Sequence, residues 1–172
     1  MVDYKEKNAV YALNSYMWKL VEANLGWKKW QGVPPIIPVQ QQPEMLQSGK
    51  AFMVYGSAFH PPTHLYQHKK EAASYMIYAT SATEVNKIVN LLMDTFERQD
   101  EAARDVNDWL VTEAEHRSTG HRGVYFTTVH ATMAEKAEDE ADEEGGYFAG
   151  MVLIEMKYTT DTPDIQTSGF TY

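Results

Sequence analysis

The run from Tyr75 to Leu110 constrains the fold most, because a strand, a helix start and a helix follow one another without interruption. Tyr75-Met76-Ile77-Tyr78 is aromatic and β-prone, and it leads to Ser81-Ala82-Thr83-Glu84. Ser81 can accept from the backbone N–H of Glu84 while Glu84 reaches back to the Ser81 N–H, the capping box that opens a helix. Val85, Ile88, Val89, Leu92 and Phe96 then recur at helical spacing on one face. The other elements can be ordered around this strand-to-helix unit. Beyond Phe96 the apolar positions are Ala103, Val106, Trp109 and Leu110, and Asp100 is placed to cap a second helix. A break at Gln99-Asp100 is therefore expected.

Upstream, a helix is expected from Tyr4 to Leu25, with Val10, Leu13, Met17, Leu20 and Val21 as its stripe and Gly26 as its left-handed stop. Trp18, Trp27 and Trp30 cluster near its end. They anchor the helix to the core or form a subunit interface, where tryptophan is enriched. Val33-Pro34-Pro35-Ile36-Ile37-Pro38-Val39 lacks three backbone donors and so reads as an extended or edge segment. Lys50 to Gly56 reads as a strand. His60 to His68 is a polar excursion around Pro61-Pro62, a strand near Ala73–Thr80 follows, and His116 to Gly123 is a loop.

The last third reads as two long strands, Val124–Thr132 and Tyr147–Tyr158, forming a wide hairpin closed by Gly145-Gly146. In the second strand Phe148, Val152, Ile154, Met156 and Tyr158 share one face. Met151 and Leu153, followed by Glu155 and Lys157, make the other face half apolar and suited to a neighbour. Residues 159–172 read as a polar tail after a single domain spanning 1–158. The expected class is α+β, a small and mostly antiparallel sheet with helices packed on one face.

The totals narrow the function classes. At 172 residues with 44% apolar content, the chain is long enough for one domain with a real core. It has no cysteine, which excludes disulfides, thiolate metal sites and cysteine nucleophiles. Val2 to Lys7 lacks the apolar core of a signal peptide, and no run is long enough to span a membrane, so the chain reads as soluble. Net charge is −9, and Glu135 to Glu144 alone contributes −6 through Glu135, Glu138, Asp139, Glu140, Asp142, Glu143 and Glu144 against one lysine. No basic stripe for gripping nucleic acid is present. The acidic run reads as a solvated hairpin tip, or as a segment whose charge repels something.

Catalytic and metal patterns fail in turn. His60, His64 and His68 would line one helical face, but Pro61-Pro62 opposes that helix and no acidic residue completes a hydrolytic zinc site. An EF-hand alignment through Gly145 puts Met151 where a bidentate glutamate is required. Gly49-Lys50 is followed by Ala51 rather than Ser or Thr, and no Gly-x-Ser-x-Gly elbow occurs. No catalytic residue, metal or cofactor is expected.

The order of elements carries a resemblance. An N-terminal helix precedes Pro35-Ile36-Ile37-Pro38-Val39-Gln40-Gln41-Gln42-Pro43-Glu44, then Gly49-Lys50-Ala51-Phe52-Met53-Val54-Tyr55-Gly56. Tyr75-Met76-Ile77-Tyr78, a long helix ending near Phe96-Glu97-Arg98 and a final wide hairpin follow. Over residues 4–158 this resembles the tail-terminator, or tail-completion, proteins of tailed bacteriophages, and more loosely the neck proteins beside them. The acidic insertion and the polar tail depart from that pattern.

The resemblance implies a structural virion protein without catalysis, assembled in the host cytoplasm and located at the tail–neck junction. It would form a homo-oligomeric ring, commonly a hexamer, that caps the tail tube, stops its elongation and meets the neck or head connector. Implied partners are copies of itself, the tail tube protein, the connector and the tail sheath, with DNA passing through the lumen and no membrane involved. Ring closure needs two complementary patches per subunit. Ile36, Ile37 and Val39 on the proline-rich edge, Met151 and Leu153 on the second face, and Trp27 and Trp30 are the expected interface residues. The acidic run is expected to face the lumen or a partner ring, keeping DNA from sticking. Competing readings are a portal-side neck protein, an acidic DNA mimic that inhibits a nucleic-acid-binding protein, and a hydrolase built on His60, His64 and His68.

Overall fold

The computed structural model describes residues 9–46, 48–59, 68–112, 124–138 and 146–160. Helix α1 runs Ala9–Leu25, strand β1 Ile36–Pro38, a 3-10 turn Val39–Gln41 and the short α2 Gln42–Met45. Then come β2 Phe52–Phe59, β3 His68–Ala79, α3 Ala82–Thr95, α4 Gln99–Thr112, β4 Val124–Glu135 and β5 Phe148–Thr160. The strands form one sheet in the order β1-β2-β3-β5-β4, antiparallel except for the parallel β1–β2 pair. The class is α+β, with a long β4–β5 pair at the C-terminal end.

The strand-to-helix unit forms as its residues dictate. Ser81 Oγ accepts from the Glu84 N–H at 3.1 Å, and Val85, Ile88, Val89, Leu92 and Phe96 are all fully buried. They pack with α1, α4 and one face of the sheet: Tyr75 and Ile77 from β3, Val152, Ile154 and Met156 from β5, Phe126 and Val129 from β4. Period-2 alternation along β5 and 3.6-residue periodicity along α3 thus meet in one core. Gly150 sits at the closest approach. A Cβ there would come within 2.7 Å of Val85 Cγ1 and 3.0 Å of the Glu135 carbonyl, so the position requires glycine.

A smaller cluster covers part of the opposite face. Phe52 stacks on Tyr78 with ring centroids 5.0 Å apart and meets Tyr147 edge-on at 5.4 Å. Ile37, Met45 and Val54 complete it. The Tyr147 hydroxyl donates to the Lys50 carbonyl at 3.0 Å, with the Met45 carbonyl at 3.2 Å as alternative acceptor.

Several boundaries differ from the sequence reading. Strand β2 runs on to Phe59, β3 begins at His68 rather than Ala73, and β4 continues to Glu135. The helix break falls at Phe96–Arg98, so Gln99 and Asp100 lie inside α4 and Asp100 is not its cap. Phe96 leaves the helix to enter the core, and its carbonyl accepts from the Ala131 N–H at 3.1 Å. Strand β5 extends two residues past Tyr158, because Thr159 pairs with His68 and Tyr125 while Thr160 pairs with Val124. Residues 161–172 of the expected tail lie outside the described residues. Residues 4–8 of the expected first helix, and the loop read at His116–Gly123, lie outside the described residues.

Candidate interaction surface

Backbone groups along both outer strands of the sheet are taken up in part, each by a different device. Strand β1 pairs only with Met53, Val54 and Tyr55, which leaves residues 56–59 of β2 without a strand on that side among the described residues. At the β1 edge the Pro35 carbonyl accepts from Met53 N–H at 2.9 Å, which turns the Ile36 N–H away from β2. That N–H is consumed by the Pro34 carbonyl at 2.8 Å, and Pro38 has none to offer. At the β4 edge the Asn107 carboxamide of α4 grips Phe126 at two points, donating to its carbonyl at 2.8 Å and accepting from its N–H at 2.9 Å. The Phe96 carbonyl takes the Ala131 N–H farther along, and His130 Nδ1 lies 3.3 Å from the same oxygen. Each gripped residue borders a β-bulge, at Phe126/Thr128 and at Ala131/Met133. Bulges and covering helices are how natural sheets prevent edge-to-edge pairing.

Among the described residues, no helix covers the remainder of the sheet face opposite the long helices, across β3, β5 and β4. Cross-strand register sets Met76 against Met151, Ser74 against Leu153 and Leu153 against Met133. Met133 and Tyr125 are exposed, at 47% and 53%, while Met76, Met151 and Leu153 are half-buried. Lys70 and Glu155 border this apolar strip with an ion pair at 2.9 Å. Methionine-rich surface of this kind adapts its shape to a partner.

The expected interface residues divide. Met151 and Leu153 lie on the open face, Val39 is 58% exposed beside β1, and Trp30 is half-buried. Ile36, Ile37 and Trp27 are corrected: they are 9%, 3% and 8% exposed and serve the chain's own core. Ile36 and Trp27 join the cluster under α1, and Ile37 joins the Phe52–Tyr147 cluster. The proline-rich segment is an edge in hydrogen bonding but not in side-chain packing.

The acidic run is anchored where it is described. Glu135 ends β4 and Glu138 is exposed. Between them Ala137 is buried, with its N–H and carbonyl both held by the Asn86 carboxamide of α3, at 2.9 and 3.2 Å. Tyr147 fixes the other end under the Met45–Lys50 turn. Asp139, Glu140, Asp142, Glu143 and Glu144 lie outside the described residues, as do His60 and His64. His68 opens β3. Among the described residues no cluster of histidines and acids could hold a metal ion, and no helix is long and apolar enough to cross a membrane.

Cavities among the described residues include two of note. One, of about 460 Å³, lies between α1, α3 and α4 and is lined by Tyr16, Asn24, Asp94, Arg98, Glu101 and Asp105. Burial, then the Asp105 charge, raises the Tyr16 pKa, and Arg98 pairs with Glu101 at 3.1 Å. The other is a pocket of about 270 Å³ beside Trp30. Farther inside, the Tyr158 hydroxyl donates to buried Glu71 at 2.8 Å and the Tyr75 hydroxyl to Asn14 Oδ1 at 2.6 Å. Burial is the main cause of the raised pKa at both tyrosines, so both hold their protons. These are interior hydrogen bonds, not a poised acid–base pair.

The two asparagine grips, Met133 on the open face and the Trp30 pocket had no sequence signal strong enough to single them out. Asn107 falls within a helical pattern, where asparagine reads as a surface residue. No protein-family model matches this chain, and no curated protein matches it.

Proposed function

We propose that this chain is a non-catalytic assembly protein, a tail terminator of a tailed bacteriophage. On this reading its copies form a ring, six-fold on the family pattern, that caps the tail tube and meets the neck connector in the virion. The observation that carries the reading is the apolar, methionine-bearing sheet face exposed at Met133, beside outer strands whose backbone groups are in part taken up within the chain. A protein that assembles through faces keeps such a face uncovered, whereas one that pairs through strand edges leaves their donors free. The second patch that a ring requires lies beside β1, where Val39 and Val33 are exposed. The acidic run, anchored through Ala137 and Tyr147, supplies negative charge along the lumen or toward a partner ring, past which DNA slides without sticking.

The experiment is native mass measurement of the chain alone and after mixing with purified tail tubes. A discrete ring, or a monomer that becomes a ring on tube ends, is the expected result. Leu153→Asp should abolish the ring while leaving the circular-dichroism spectrum of the monomer unchanged. A chain that stays monomeric with tubes and leaves their ends free to elongate overturns the proposal. Rings that bind portal complexes and ignore tubes would transfer it to the neck.

A further inference from the structure

We propose that the pocket beside Trp30 binds a basic side chain, lysine or arginine, presented by a partner protein. The pocket is lined by Trp30, Val33, Pro34, Pro35 and Met45, with Glu44 as its one ionisable group. Such a wall suits a ligand with a long apolar stem and a cationic head. The stem lies on the prolines and Val33, and the head meets the indole and the carboxylate. Glu44 is exposed and has no ion-pair partner among the described residues. An acidic ligand would meet like charge there, and an uncharged one would leave the carboxylate unused.

A second observation concerns how the pocket is held. Trp30 and Val33 exchange backbone hydrogen bonds of 2.8 and 3.0 Å across the two-residue turn Gln31-Gly32. Both turn residues have positive φ, 51° at Gln31 and 80° at Gly32. Asparagine, aspartate or glycine ordinarily occupies the first of these positions, so glutamine there is strained. The strained turn sets Trp30 opposite Val33, which is half-exposed at the mouth. Backbone strain of this type persists where the surroundings impose it, commonly at binding sites. The ligand class follows from the pocket's own lining. Val33 also belongs to the β1-side patch of the ring reading, but binding of a small cation by the chain does not depend on ring formation.

The test uses the isotope-labelled full chain and three small probes sharing one stem: n-butylammonium, n-butylguanidinium and n-butanol. The readout is the Trp30 indole N–H resonance, assigned by its loss in Trp30→Phe. The two cations should shift it saturably while the indoles of Trp18, Trp27 and Trp109 stay in place. Butanol should bind at least about threefold more weakly, and Glu44→Gln should weaken the cations by a similar factor. Val33→Arg, at an exposed position, should fill the mouth with a tethered guanidinium and abolish the shift. The proposal is overturned if the cations produce no saturable shift, if butanol binds as well, or if Glu44→Gln changes nothing.

Discussion

Strand β5 presents two faces to two different surroundings. Toward the helices, Val152, Ile154 and Met156 are fully buried and Gly150 admits α3 to near contact. Toward the other side, Met151, Leu153 and Glu155 are half-buried, with exposed Met133 beside them. One buried face is enough to fix register, because a one-residue slip would turn every core side chain outward. The second face is then released from the demands of folding. Its apolar content beyond Met76, which packs against the Phe52–Tyr147 cluster, is what the proposed interface would account for.

The largest test of that contrast compares neighbours on the strand. Ile154→Ala should cost about 2–5 kcal/mol, since it opens a cavity in a packed core. Leu153→Ala, one residue away and half-buried, should cost less than half as much in urea unfolding of the monomer. Equal losses would mean that the open face is already closed within the chain.

The helix-covered half of this comparison was legible in the sequence, because it rests on short-range patterns. Ser81 and Glu84 mark a helix start within four residues, and alternation along β5 separates Ile154 from Leu153 without any knowledge of partners. The interface residues were less legible. Ile36 and Ile37 sit among prolines that forbid a central strand, yet a parallel edge strand still buries its side chains on both faces. Sequence reports the missing donors but not the layers above and below. Asn86 and Asn107 were invisible for a related reason: each acts on backbone about 51 or 19 residues away, and no local pattern announces such a reach.

Edge closure is the next largest effect expected. Asn107→Ala removes two hydrogen bonds and leaves the Phe126 N–H and carbonyl unpaired in a buried setting, for a loss of about 1–3 kcal/mol. It should also make association through the β4 edge concentration-dependent, visible in sedimentation. Loss of stability without new association would show that α4 itself, and not its asparagine, covers the edge.

Alkaline pH probes the covered face in another way. Tyr158 and Tyr75 have pKa values raised above the ordinary 10.0, chiefly by burial, with Glu71 adding to both. The folded state therefore binds protons more tightly than the unfolded chain. Their contribution is complete below pH 10.0 and is lost as pH rises toward their folded values. Urea midpoints should fall steadily above about pH 10. Tyr158→Phe should flatten part of that decline, leaving the share due to Tyr75, and should also lower stability at neutral pH by stranding Glu71 without its donor. An unchanged alkaline slope in the variant would move the effect elsewhere.

The smallest effect expected is the most discriminating. Met133 is 47% exposed on the open face, so Met133→Gln should change monomer stability by no more than about 0.5 kcal/mol. Its consequences, if the face is an interface, appear only in assembly: the hydroxyl-free thioether surface that a neighbour would cover becomes a hydrated amide. Native mass measurement of this variant beside Leu153→Asp then separates two explanations of the apolar face. Weakened rings with an unaltered monomer would assign that surface to a partner. Rings of full strength from both variants would mean that the methionines of this face are idle, and that the open side of β5 differs from its covered side in packing alone.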